Sequence, residues 1–129
     1  MNNTAKQKRT SDENSIIKIM IVEDNRFIRI GWEAVIQANK NFSLVGSFSD
    51  CETAFKSDAP QKTDLVLMDI GLPGMSGIEG IKLLKEKYPE IVIVMCTVHD
   101  DSEEIFQAIC AGAVGYLTKK TSPEELIKL

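Results

Sequence analysis

Five polar residues with the makings of a reactive site stand at the ends of apolar runs. Asp69 directly follows Leu65-Val66-Leu67-Met68, and Gly71, Pro73, Gly74 and Gly77 open a loop behind it. Glu23 and Asp24 end the run that begins at Ile16, Thr97 ends the run that begins at Ile91, and Lys119 follows Gly115-Tyr116-Leu117-Thr118. Each has an ordinary explanation: a strand-ending aspartate that caps the next helix, a solvated acidic turn, a β-branched strand end, a surface lysine. Their coincidence at strand ends points to chemistry. If the strands are parallel neighbours, all these groups meet at one edge. Carboxylates gathered there repel, so one must protonate unless a cation intervenes. Hard oxygen ligands select Mg²⁺ or a similar ion. Lys119 adds a fixed positive charge and Thr97 a hydroxyl donor. Such a set suits phosphoryl transfer, in which cations neutralise the moving group. A carboxylate can itself be the nucleophile and form an acyl phosphate. Asp69, with its open glycine-rich loop, is best placed for that.

The elements that must position these groups are legible from hydrophobic pattern. Apolar runs without polar alternation predict strands over 65–69 and 91–96, buried on both faces, with further strands over 16–22, 42–48 and 115–118. A helix over 26–38, capped by Asn25, carries Phe27, Ile30, Ala34 and Ala38 on one face. A short helix capped by Asp50 or Ser49 ends before Pro60. A third over 76–88 has Ile78, Ile81, Leu83 and Leu84 as its stripe and stops at Pro89. A fourth over 102–111 stops at Gly112. Ser122-Pro123-Glu124-Glu125 starts a fifth, with Ser122 as N-cap, cut short at Leu129. Alternating strands and helices predict an α/β fold: a doubly wound five-stranded parallel sheet with helices on both faces.

The 129 residues suffice for one domain. With 43% hydrophobic and 26% charged residues, the chain has an ordinary globular composition. The net charge of -4 argues against binding nucleic acid or an anionic membrane through this fragment alone. Cys51, Cys96 and Cys110 form no C-x-x-C pair, which suggests neither a disulfide framework nor a zinc site. Cys96 and Cys110 read as small buried hydrophobes, and free thiols fit a cytoplasmic location. No apolar run reaches the ~18 residues of a membrane span. Residues 1–15, polar and mixed in charge, read as a disordered tail before a domain over 16–129.

The chain resembles the receiver domain of a two-component response regulator, a flavodoxin-like (βα)5 fold, over 17–129. Three separated motifs carry the resemblance: Ile21-Val22-Glu23-Asp24-Asn25, the stretch from Leu67 through Asp69-Ile70-Gly71-Leu72-Pro73-Gly74-Met75-Ser76-Gly77, and Ala111-Gly112-Ala113-Val114-Gly115-Tyr116-Leu117-Thr118-Lys119. The second, with Arg29 and Gly31, most resembles the subfamily carrying a LuxR-type helix-turn-helix output domain, which would lie outside this fragment. The resemblance implies that Asp69 accepts a phosphoryl group from a sensor histidine kinase. It implies Mg²⁺ bound by Asp24, Asp69, the Gly71 carbonyl and Glu23. It makes Thr97 the residue that turns towards the phosphoryl oxygens, Lys119 their ion-pair partner and Tyr116 the aromatic switch. It also implies readout, to an output domain or a second copy, through the fourth helix (102–111), the fifth strand (115–118) and the fifth helix (from 122).

Departures from the family pattern are Lys120, where many relatives have a proline that is often cis, and Val98 after Thr97. His99 and Gly71 occupy positions that tune acyl-phosphate lifetime in relatives. Two other readings share these residues. A haloacid-dehalogenase-like phosphatase also uses a strand-end aspartate and Mg²⁺, but wants a second aspartate where this chain has Gly71. A pseudo-receiver that only binds partners would not need the full polar set.

Overall fold

The computed structural model describes residues 16–97 and 102–118. The expectations for the tail, Val98, His99, Lys119, Lys120 and the helix from Ser122 lie outside these residues. The apolar runs become strands β1 (Ile17–Val22), β3 (Leu65–Asp69), β4 (Val92–Thr97) and β5 (Gly115–Thr118), joined by β2 (Phe42–Phe48). All pair in parallel, in the order β2-β1-β3-β4-β5. The doubly wound sheet expected from the pattern is therefore the observed architecture.

Strand periodicity sorts the core into two layers. Ile19, Ile21, Leu67, Val94 and Cys96 form one cluster with Trp32 and Ile36 of α1 (Arg26–Ala38). Met20, Val22, Val66, Met68, Ile93 and Met95 form the other. That face is covered by α2 (Cys51–Lys56), α3 (Ala59–Lys62), α4 (Gly77–Lys87) and α5 (Ser102–Ala111). Burial on both faces is why these strands show no polar alternation.

Local signals set the helix boundaries. The Asn25 side chain accepts hydrogen bonds from the backbone N–H groups of Phe27 and Ile28, at 3.0 and 3.1 Å. Asp50 caps α2 by accepting from Thr53 N–H at 2.7 Å, and these bonds hold its carboxyl below the usual carboxylate range. Ser76 and Glu79 form a reciprocal capping box on α4. Gly112 leaves α5 at φ +126°, a left-handed conformation that favours glycine. Pro60 follows the end of α2, as expected, but lies within the first turn of α3, where its missing N–H is harmless.

Three side-chain expectations are corrected. The stripe Phe27, Ile30, Ala34 and Ala38 faces outward, with Phe27 86% exposed. The buried face is Trp32 and Ile36, with Ile28 packed beside them. Both sets have helical spacing and their centres differ by about 155° of rotation. The larger indole area decides which one enters the core. In α4, Ile81 and Leu84 are buried, whereas Leu83 stays exposed. Cys110 is exposed, because α5 buries Ala108 and packs Ile105 and Ala111 inward, on another side of the helix.

Cysteine reactivity should follow this burial. Burial, and then the charges of Glu52 and Asp50, push the Cys51 thiol up to about 12. Alkylation of the folded protein at neutral pH should therefore label Cys110 and spare Cys51 and Cys96 until denaturant is added. Peptide mass mapping checks this, and early labelling of Cys51 would contradict the packing.

Candidate functional site

The site forms where the sheet changes direction. β1 leads through α1 to β2 on one side, while β3 lies on the other side of β1. Ligand crevices in open α/β sheets lie at such switch points, beyond the carboxyl ends of the strands. In the β1–β3 register, Ile21 pairs with Leu67 and Val22 with Met68. One further step sets Glu23 opposite Asp69. Strand alternation gives both the face covered by α1. Glu23 is fully buried and Asp69 is 2% exposed. Asp24, next along the chain, is exposed. Carboxylate oxygens of Glu23, Asp24 and Asp69 all lie within 4.8 Å of one another.

Backbone bonds hold this cluster in place. Glu23 N–H donates to the Phe48 carbonyl at 2.9 Å, and Glu23 Oε2 accepts from Asn25 N–H at 2.9 Å. Arg29 Nη1 donates to the Glu23 carbonyl at 2.7 Å. Arg29 Nε lies 3.9 Å from Glu33, which also accepts from the Ser47 hydroxyl. A cation is thus fixed behind the carboxylates by contacts from α1 and β2. On the other strand, Ile70 N–H donates to the Cys96 carbonyl at 3.0 Å, and Gly71 N–H to Asp69 Oδ1 at 3.2 Å. Gly71 is exposed, with open space where a side chain would stand.

Two of the remaining sequence candidates fall on β4 and β5. Thr97 ends β4 with its backbone paired to Thr118, and its side chain is not among the described ones. Tyr116 pairs with Met95 in β5 and is 45% exposed. Lys119 lies outside the described residues. Sequence reading missed Glu33, Ser47 and Glu52, whose side chains bond across elements. Arg29 had been noted only as a subfamily mark. The i,i+4 spacing on α1 could have paired Arg29 with Glu33, whereas Ser47 and Glu52 meet their partners only through the fold.

The donor set fits a small, hard, oxygen-seeking cation such as Mg²⁺: carboxylate oxygens from two neighbouring strand ends, two of the residues buried and one open to solvent. A cation there would relieve the mutual repulsion of the acids.

Gly77 is a steric requirement of the same site. Its N–H donates to the Ile70 carbonyl at 3.1 Å, and an added Cβ would lie 2.0 Å from the Asp69 carbonyl oxygen and 2.8 Å from Ile70 Cα. Both contacts are backbone and cannot rotate away. Gly77→Ala should lower stability by about 1–3 kcal/mol, the usual scale of overpacking. Urea denaturation measures this, and a wild-type midpoint would contradict the contact.

Comparisons with known proteins agree with this geometry. The family model for the response regulator receiver domain matches residues 19–129. The transcriptional regulatory protein YxjL of Bacillus subtilis is 38% identical over 111 residues, which cover 86% of this chain and 51% of that protein. The response regulator UvrY of Escherichia coli K12 is 31% identical over 112 residues, 87% of this chain and 51% of that protein. The chain thus spans about half the length of the curated relatives it matches. The crystal structure of a LuxR-family two-component response regulator from Aurantimonas sp. SI85-9A1 superposes with a TM-score of 0.79 at 31% identity, covering 88% of this chain and 81% of that one.

Proposed function

Because the chain belongs to the response regulator receiver domain family, we propose that it is a phosphoaccepting switch, with Asp69 as the acceptor. The carrying observation is the cluster of Glu23, Asp24 and Asp69 at the switch point of the sheet. The donor is a phosphohistidine of a sensor histidine kinase. An Asp69 carboxylate oxygen attacks phosphorus, the P–N bond breaks, its electron pair stays on the imidazole, and an acyl phosphate forms. The domain acts on its own side chain and does not turn over an external substrate.

Glu23, Asp24, Asp69 and the Gly71 carbonyl are the groups that would hold Mg²⁺. When bound, the ion supplies neutralisation of charge at the acceptor and the incoming phosphoryl oxygens. The chain's own residues do the rest. The β1–β3 register orients Glu23 beside Asp69, and Arg29 holds the end of β1 through the Glu23 carbonyl. Thr97 and Lys119 are proposed as the hydroxyl and ammonium that bind the new phosphoryl oxygens, with Tyr116 as the switch aromatic.

Readout is proposed through the surface of 102–111, 115–118 and the helix from Ser122. Phe106, Ile109, Val114 and Tyr116 are exposed there, and such apolar clusters mark interaction surfaces. The partner is an output domain or a second copy. Among relatives, the names of the uncharacterized transcriptional regulatory protein YxjL and of the LuxR-family response regulator support transcription regulation as the output, and a DNA-binding output domain is proposed to carry it. In this reading residues 1–15 are a tail before a receiver over 16–129, working in the cytoplasm. Among the described residues, no helix is long and apolar enough to cross a membrane.

Intact mass spectrometry after incubation with Mg²⁺ and acetyl phosphate or phosphoramidate tests the assignment. Wild type should gain one phosphoryl group, lost on chelation of the metal before incubation, and Asp69→Asn should gain none. An adduct that persists in Asp69→Asn would overturn the acceptor. Sustained hydrolysis of small phosphoesters would overturn the switch reading.

A further inference from the structure

The loop behind Asp69 is held at its ends by its own neighbours. Ile70 N–H binds the Cys96 carbonyl, Gly77 N–H binds the Ile70 carbonyl, and the Ser76–Glu79 capping box closes the entry to α4. Its middle is held from another element. Glu52, in the first turn of α2, accepts a hydrogen bond from Met75 N–H through Oε2 at 2.8 Å. The same carboxylate lies against the α-carbon of Gly74. A Cβ built at Gly74 would stand 2.5 Å from Glu52 Oε2, 3.2 Å from its Cδ and 3.4 Å from Oε1. Gly74 also has φ +72°, so backbone conformation and close approach both favour glycine there. Glu52 and Gly74 are a matched pair.

Glu52 is itself held in place. Asp50 caps the turn. Cys51 is fully buried, with its Sγ 3.8 Å from Met68 Sδ and 2.7 Å from where a Gly80 Cβ would stand. Met68 immediately precedes Asp69. Consecutive residues of α2 thus grip both sides of the acceptor: Cys51 packs on the strand before it, and Glu52 holds the loop after it. An exposed glutamate spent on one backbone N–H across 23 residues of chain is not needed to cover the core.

We propose that Glu52 is a positioning residue that latches the Gly74–Met75 segment to α2, keeping the Asp69 loop in the shape that metal binding and phosphoryl uptake require. This rests on the function proposed above. The latch would set how readily the Gly71 carbonyl and the Asp69 carboxylate reach their places together. It would also pass a displacement of α2 to the acceptor.

The test compares Glu52→Ala with Glu52→Gln in the whole chain. Glutamine keeps a carbonyl acceptor for Met75 N–H and removes the charge, so it separates the bond from long-range electrostatics. Hydrogen exchange of the Met75 amide reads the latch, and amide chemical shifts during a Mg²⁺ titration read the site without phosphorylation. Glu52→Ala should speed Met75 exchange about tenfold, the scale of one lost hydrogen bond. It should also raise the Mg²⁺ concentration for half-saturation, and for half-maximal phosphorylation by acetyl phosphate, by about threefold or more. Glu52→Gln should stay near wild type in both. Unchanged Met75 exchange in Glu52→Ala overturns the latch. Faster exchange with Mg²⁺ binding and phosphorylation unmoved overturns its positioning role, as does a glutamine variant as impaired as alanine. A wild type that binds no Mg²⁺ and takes no phosphoryl group overturns the proposed function instead, while Met75 exchange still reports on the contact.

Discussion

Acid side chains held together by a rigid sheet are the constraint on which the rest of this structure depends. Glu23 and Asp69 stand opposite each other at the ends of β1 and β3, both buried, with Asp24 beside them. Carboxylates repel strongly where water is scarce. The strands cannot separate to relieve this, because Ile21, Val22, Leu67 and Met68 are packed on both faces of the sheet. The core, not the site, supplies the energy that keeps the acids together. A buried apolar side chain contributes about 1.5–3 kcal/mol, so the surrounding strands can carry the cost. A cation bound among these oxygens would change the local energy substantially.

The surrounding elements distribute that constraint. On the β1 side, Asn25 starts α1 while Arg29 reaches back to the Glu23 carbonyl, and Ser47 and Glu33 complete a chain of contacts from β2. On the β3 side, Gly77 allows α4 to begin directly against the Asp69 backbone. Glu52 ties down the loop between them. The acidic cluster is braced by α1 from one face of the sheet and by α2 and α4 from the other. In the proposed function such bracing has a use: new bonds at Asp69 would bias the molecule only if displacements there reach packed elements that have a second arrangement.

Much of this was legible in the sequence, and the misses have definite causes. Strand positions followed from apolar runs, helix starts from Asn25 and Asp50, and the stop of α5 from Gly112, because these signals act over a few residues. Grouping Glu23, Asp24 and Asp69 needed only the parallel order of strands whose ends they occupy. The inward face of α1 was misread because Phe27-Ile30-Ala34 and Ile28-Trp32-Ile36 have equally good helical spacing. Periodicity shows that a face exists and leaves its direction open. Leu83 and Cys110 were misplaced for the same reason. The partnerships of Glu52 with Met75 and of Ser47 with Glu33 link residues on different elements. Charged and polar residues at exposed positions carry no local mark of their partner.

By itself the sequence determined the elements, their order, the class of sheet and the acids at its carboxyl edge. These depend on short-range patterning and on chain connectivity, which are written along one dimension. Only the tertiary structure decided that Glu23 lies opposite Asp69 and not one residue out of step, which face of each helix turns inward, and that a glutamate from α2 closes on the loop behind Asp69. Those outcomes come from register and packing, where the large buried surfaces of Trp32, Met68 and Ile81 outweigh the local preferences of the residues around them.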